Sequence, residues 1–181
     1  MELIPTAIEG VMIVEPKVFG DDRGFFMESW SAAGFAAKGL DLNFVQDNHS
    51  RSSRGVLRGL HYQQPGPQGK LVRVTAGAVY DVAVDLRKSS PTFGNWVGVK
   101  LSAANKRMLW VPEGMAHGFL ALEDGTDFLY KCTAPYRPDA EHSLLWNDPV
   151  IGIDWPLDGI EPQLSAKDRA GVPLADAVTF A

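Results

Sequence analysis

An all-β fold is the class this sequence predicts, on three observations. Its 181 residues include 18 glycines and 12 prolines, above the roughly 12% combined share usual in globular proteins, which calls for many turns between short elements. Short apolar or alternating runs recur at close spacing along the chain. Only one segment carries a convincing helical signature. Many short strands so spaced form a sandwich or a closed barrel, either of which removes exposed sheet edges, and a barrel mouth is a natural small-ligand site.

Taken in order, the expected strands are Met12 to Val14, Gly24 to Trp30, Val56 to Gln63, Lys70 to Thr75 and Val79 to Leu86. They continue with Trp96 to Leu101, Arg107 to Val111, Gly118 to Leu122, Phe128 to Thr133 and Ser143 to Trp146. Turn residues separate most of them: Gly77, Pro91 with Gly94, Pro112-Glu113-Gly114 and Asp124-Gly125. From Val79 to Leu86, the set Tyr80, Val82, Val84, Leu86 alternates with Val79, Asp81, Ala83, Asp85. This period of two puts both acids on one face and predicts one core face and one wetter face. The helical segment opens on Ser31 as N-cap, runs from Ala32 to Lys38 and closes on Gly39. Ser165-Ala166-Lys167-Asp168 has the spacing that opens a helical turn. Helices are thus expected to be few, short and peripheral.

No repeat, low-complexity block or linker divides the chain, so residues 1–181 are expected to form one domain. The balance of 17 Lys and Arg against 22 Asp and Glu gives a net charge of −5. That supplies no electrostatic reason to bind nucleic acid or anionic lipid. The one cysteine, Cys132, sits in an apolar run and has no intramolecular partner, which suits a reducing compartment. No apolar run approaches the ~20 residues needed to span a bilayer, and Met1 to Gly10 lacks a leader pattern. A cytoplasmic protein with no membrane partner is expected.

Polar residues that strands do not need for folding concentrate in Gln46 to Ser50, Arg58 to Tyr62 and Pro112 to His117. Arg58 and His61 are three apart, so a regular strand would turn them to opposite faces. Gly59 between them permits a bulge that turns both inward. Gly55-x5-His61 and Pro112-x-Gly114-x2-His117 each match half of the two motifs of the cupin superfamily of jelly-roll barrels. In that pattern Gln63 replaces the second His, Lys70 stands near the Glu spacing, and Lys106 and Ala121 replace the outer Gly and Asn. The resemblance implies a cupin-type jelly-roll barrel. A lysine ammonium cannot coordinate a cation, however, and only two of the usual ligands remain, so no metal and no other cofactor is expected.

A closer resemblance is carried by Phe19-Gly20-Asp21-Asp22-Arg23-Gly24-Phe25-Phe26-Met27-Glu28, Gln46-Asp47-Asn48-His49-Ser50, Arg58-Gly59-Leu60-His61-Tyr62-Gln63 and Lys70-Leu71-Val72-Arg73-Val74. Pro112-Glu113-Gly114-Met115-Ala116-His117-Gly118-Phe119 and Tyr130-Lys131-Cys132 complete it. Together these resemble the dTDP-4-dehydrorhamnose 3,5-epimerase family from about Ile8 to Asp168. The resemblance implies a dimeric jelly roll that inverts carbons flanking a C4 ketone on a dTDP-4-keto-6-deoxy sugar. Such a reaction needs a base, a cation for the enolate and an acid. His61 is the implied base, since imidazole accepts protons near neutrality. Asp168 orients it, Lys70 faces the enolate oxygen, and Tyr130 is the implied acid. Arg23 and Arg58 suit the diphosphate as charge-assisted donors. Glu28, Gln46, Asp47, Asn48 and His117 are carried over for the sugar and nucleoside, Tyr136 or Phe26 for stacking on thymine, and Glu141 and Lys167 with them. His49 and His142 are expected to be structural. A 3-epimerase or ketoisomerase, a non-catalytic sugar-binding module and a metal-dependent cupin enzyme stay open as alternatives.

Overall fold

Short runs separated by glycine and proline turns pair into antiparallel strands throughout this computed structural model, which describes residues 1–181. In chain order they are β1 (Glu2–Pro5), β2 (Met12–Glu15), β3 (Val18–Asp21), β4 (Gly24–Met27), then helix α1 (Ala32–Ala36), β5 (Gln46–Ser52) and β6 (Leu57–Gln63). There follow β7 (Lys70–Ala76), β8 (Ala78–Asp85), β9 (Trp96–Ser102), β10 (Met108–Val111), β11 (Met115–Ala121), β12 (Thr126–Cys132), β13 (Glu141–Ser143) and helix α2 (Ala166–Arg169). One sheet has the order β1-β2-β10-β7-β12-β5 and the other β13-β6-β11-β8-β9, while β3 and β4 form a separate hairpin.

The two sheets face each other across an apolar core drawn from both. Val72, Val74, Leu109 and Phe128 come from the six-stranded sheet, and Val79, Ala83, Leu101 and Phe119 from the five-stranded one. Phe119 and Phe128 stack across the gap with ring centroids 4.1 Å apart, a contact worth about 0.5–1.5 kcal/mol beyond the area it buries. A second apolar layer lies outside the five-stranded sheet, where Leu144, Ile151 and Trp155 cover Leu57, Leu60, Val82 and Val84. A third covers the other sheet, where Phe35 of α1 packs with Leu71, Met108 and Trp110.

These outer layers correct one expectation. The alternation in β8 is as predicted, but neither face is wet. Val82 and Val84 pack outward under the C-terminal segment, while Asp81 and Asp85 on the other face are fully buried. Burial is tolerated because each acid is bonded. Asp85 accepts from Arg87, Ser90 and Thr92, and Asp81 from His117. The expected strand from Gly24 to Trp30 stops at Met27, the one from Ser143 to Trp146 is replaced by Glu141–Ser143, and α1 stops at Ala36. Ser31 caps α1 by accepting from Gly34 N, and Gly39 follows at φ +87°, the left-handed conformation its residue type favours.

The irregularity expected at Gly59 is present. His117 faces His61 and Phe119 faces Arg58, so the pairing shifts between them, and both His61 and Arg58 border one cavity. Gly59 has φ +130°, and a Cβ there would lie 2.5 Å from Gly118 Cα and 2.9 Å from His117 O. Replacing Gly59 by Ala is expected to cost about 1–3 kcal/mol through this overpacking. Gly20→Ala, whose Cβ meets nothing closer than 3.6 Å, is expected to be near neutral. Urea unfolding of the two variants checks the difference, and equal midpoints would refute it.

Candidate active site

The inward faces of β5, β6, β7, β11 and β12 line a cavity of about 540 Å³. Along β5 and β12, alternation decides which side chains reach it. Along β5, Gln46, Asn48 and Ser50 line the cavity, while along β12 Tyr130 does so and Leu129 and Lys131 do not. β6 supplies Arg58, His61 and Gln63, β7 supplies Lys70, and β11 supplies His117. Tyr136, Glu141, Lys167 and Asp168 join from the later segments.

His61 Nε2 lies 2.6 Å from Asp168 Oδ1. The Asp168 side chain is 4% exposed and that of His61 25%. Asp168 also accepts from Ser165 Oγ at 2.6 Å and from Gly59 N at 3.3 Å. Burial by itself would raise the Asp168 carboxyl, but these hydrogen bonds outweigh it and hold the group at a pKa of about 2. The residue is at once the third residue of the α2 turn, donating its N–H to Ser165 Oγ at 3.1 Å, and the partner of His61. A four-residue turn fulfils both roles.

Lys70 is not the strand-edge lysine its position could suggest. It pairs on both sides, with Val111 and Cys132, and is 7% exposed. Its Nζ reaches His61 O at 3.5 Å. Burial pushes the ammonium below its ordinary pKa, while Cys132, Asp81 and Glu141 act to hold the charge. Burial likewise raises the Tyr130 phenol, which keeps it protonated and able to donate. His117 Nε2 sits 2.9 Å from Asp81 Oδ1. Burial raises the Asp81 carboxyl against the pull of His117 and Lys70, and its Oδ2 has no partner. No cluster of three or more His, Cys, Asp or Glu side chains is assembled, and each interior histidine already holds a carboxylate.

At the mouth, Glu141 accepts from Lys167 at 2.7 Å and from the Tyr136 hydroxyl at 2.9 Å. Burial acts to raise the Glu141 carboxyl, and these bonds hold it below its usual value. Four sequence candidates lie elsewhere. Asp47 alternates to the outer face of β5, where it pairs with Lys131 at 3.0 Å. Arg23, at the tip of the β3–β4 hairpin, is 90% exposed and bonded to Asp21. Phe26 is 70% exposed on the same hairpin, and Glu28, which follows it, is absent from the cavity wall. His49 bonds Asp127 on the outer face and His142 bonds Gln64 O. Sequence reasoning did not single out Ser50, Tyr62, Gln63, Gln68, Phe119 and Ser165 as site residues, and all of them line the cavity. Ser50 Oγ is buried without a partner; its period-two relation to Asn48 was the available signal.

A jelly roll whose interior holds a carboxylate-bound imidazole, a buried ammonium and a phenol assembles the groups that an isomerase acting on a carbon acid requires. The match to known proteins narrows this class. The model of the family described as dTDP-4-dehydrorhamnose 3,5-epimerase matches residues 5–176. The enzyme of that name from Pseudomonas aeruginosa is 58% identical over 181 residues, 99% of each chain. The one from Salmonella typhimurium is 59% identical over 178 residues, 97% of this chain and 96% of its own. The crystal structure of the dTDP-6-deoxy-D-glucose-3,5-epimerase from Legionella pneumophila, in complex with dTDP-4-keto-L-rhamnose, superposes with a TM-score of 0.94 at 54% identity. It covers 98% of this chain and 94% of its own. The chain belongs to the dTDP-4-dehydrorhamnose 3,5-epimerase family.

The Asp168 pair has a measurable signature. Its folded pKa of about 2 lies below the free carboxyl value of about 3.9. The pair therefore contributes stability that is complete above about pH 4 and lost as the pH falls towards 2. Asp168→Asn is expected to flatten the dependence of unfolding free energy on pH in that window, followed by circular dichroism in urea. A variant with the wild-type slope would show that the pair is not formed.

Proposed function

We propose that the protein converts dTDP-4-dehydro-6-deoxy-D-glucose to dTDP-4-dehydro-L-rhamnose by inverting C3 and C5. The single observation that carries this reading is the opposition of base and acid. His61 rises from one sheet and Tyr130 from the other, with Lys70 buried at the same cavity. With Nε2 engaged by Asp168, the free lone pair of His61 belongs to Nδ1. That nitrogen takes the proton from carbon, and Asp168 stabilises the imidazolium formed. The electron pair moves onto the C4 oxygen, where the Lys70 ammonium meets it in a largely dry site. Tyr130 delivers its proton to the opposite face of the same carbon. His61 and Tyr130 then exchange protons with water, and the cycle repeats at the second carbon.

For the rest of the substrate, Arg58 at the cavity wall suits the diphosphate. Gln46, Asn48 and His117 suit the sugar and nucleoside, and Tyr136, Glu141 and Lys167 the outer end. Arg23, Phe26 and Glu28 lie on or beside a hairpin that pairs with neither sheet and exposes Phe19, Phe25 and Phe26. Their reading as substrate contacts requires a homodimer in which this hairpin meets the cavity of the partner. No helix is long and apolar enough to cross a membrane. The one cysteine is buried and free, and we assign a cytoplasmic site of action to a single domain spanning residues 1–181.

In heavy water, purified protein with the 4-keto sugar nucleotide is expected to introduce deuterium at C3 and C5, read by NMR. Label at C3 alone would make the protein a 3-epimerase, and no label would remove the enzymatic reading in favour of a binding module. His61→Ala is expected to abolish exchange while dTDP still binds. Lys70→Met should slow turnover by about 10²–10³-fold, the usual effect of losing one preorganised donor to an oxyanion. Tyr130→Phe should lower inversion by about 10²-fold or more.

A further inference from the structure

The part of the cavity wall that carries Tyr136 has no strand or helix of its own, yet its backbone is held residue by residue. After β12 ends at Cys132, the chain passes the cavity mouth before a short 3-10 turn, Pro138–Ala140, leads into β13. Three glutamines, from β5, β6 and the loop before β7, take up its backbone groups. Gln63 Oε1 accepts from Arg137 N at 2.7 Å, and Gln63 Nε2 donates to Gly66 O at 2.8 Å and Pro135 O at 3.3 Å. Gln46 Oε1 accepts from Tyr136 N at 2.8 Å, and Gln68 Nε2 donates to Ala134 O at 2.8 Å. A surface loop ordinarily leaves such groups to water. Here four consecutive residues are pinned by side chains. The Tyr136 ring is also fixed at its tip, since its hydroxyl donates to Glu141, which Lys167 holds in turn.

Gln63 is the centre of this clamp. It is 3% exposed, both of its amide atoms are engaged, and its three bonds reach two loops. It also occupies the position at which the cupin motif carries a second histidine, so a place given elsewhere to a metal ligand serves here to hold backbone. We infer that Gln63 is a positioning residue that fixes the Tyr136 ring as a preformed platform for the nucleoside end of the substrate. The chemistry takes place beside buried Lys70, so the sugar lies inside and the nucleotide extends to the mouth, where Tyr136 is 49% exposed. An aromatic face offers a base a stacking surface, and a platform ordered before binding spares the complex the cost of ordering it. The identity of the ligand rests on the function proposed above; the clamp itself does not.

The test compares Gln63→Leu with wild type by calorimetric titration of dTDP and by steady-state kinetics on the 4-keto sugar nucleotide. The dissociation constant for dTDP and KM are both expected to rise about tenfold, the effect of one or two lost hydrogen bonds, with kcat within about threefold. In a Tyr136→Ala background the same substitution should change dTDP affinity by less than about twofold, because the residue through which it acts is gone. A fall in kcat with unchanged dTDP affinity would overturn the inference, as would effects of the two substitutions that multiply in full. Should Gln63→Leu fail to fold, Gln63→Glu keeps the volume and the acceptor for Arg137 N but loses both donated bonds, and wild-type dTDP affinity in that variant would be equally fatal. Wild-type protein that binds dTDP but exchanges no deuterium would defeat the epimerase reading and leave this inference standing.

Discussion

Charge inside a barrel is costly unless it is answered, and that constraint organises this cavity. Lys70, Asp81 and Asp168 are each below a tenth exposed, where an unpaired ion would neutralise rather than persist. Asp168 stays ionised because His61, Ser165 and the Gly59 N–H all donate to it. Asp81 stays near His117 and within the field of Lys70. The charged groups of the cavity therefore make one another's burial tolerable. Removing one partner strands the other, so chemistry and stability cannot be varied independently at these positions.

The apolar frame that carries these charges is divided by alternation. In β7, Lys70, Val72 and Val74 face the interior while Leu71 faces α1 and its aromatic neighbours. In β12, Phe128 and Tyr130 pack inward. Because both faces of the central strands are buried, a shift of register by one residue would exchange a charged interior group for an apolar outer one, and each pairing is thereby specified twice over.

Much of this was legible in the sequence. The central strands were found from their apolar alternation and flanking turns, and Gly59 permitted, without requiring, the bulge that brings Arg58 and His61 to one cavity. β5 escaped because Gln46 to Ser52 contains no apolar residue; a polar strand at a sheet edge gives no periodic signal, although its residues stood out as chemistry. The wet face expected on β8 was wrong because a segment distant in sequence covers its valines, and each acid on the opposite face is buried with at least one oxygen bonded to a partner that spacing cannot reveal. Asp47, Arg23, Phe26 and Glu28 were carried over on motif alone. Alternation could have excluded Asp47 from the group containing Gln46 and Asn48, whereas the standing of the hairpin apart from both sheets is a matter of topology that no local pattern encodes.

The His61 to Asp168 bond spans 107 residues of sequence. The last strand of either sheet ends at Ser143, whereas the carboxylate that holds the His61 ring lies beyond it, on the segment that wraps the outer face. The orientation of the His61 ring is thus set from outside both sheets, and a chain lacking α2 would lose that contact.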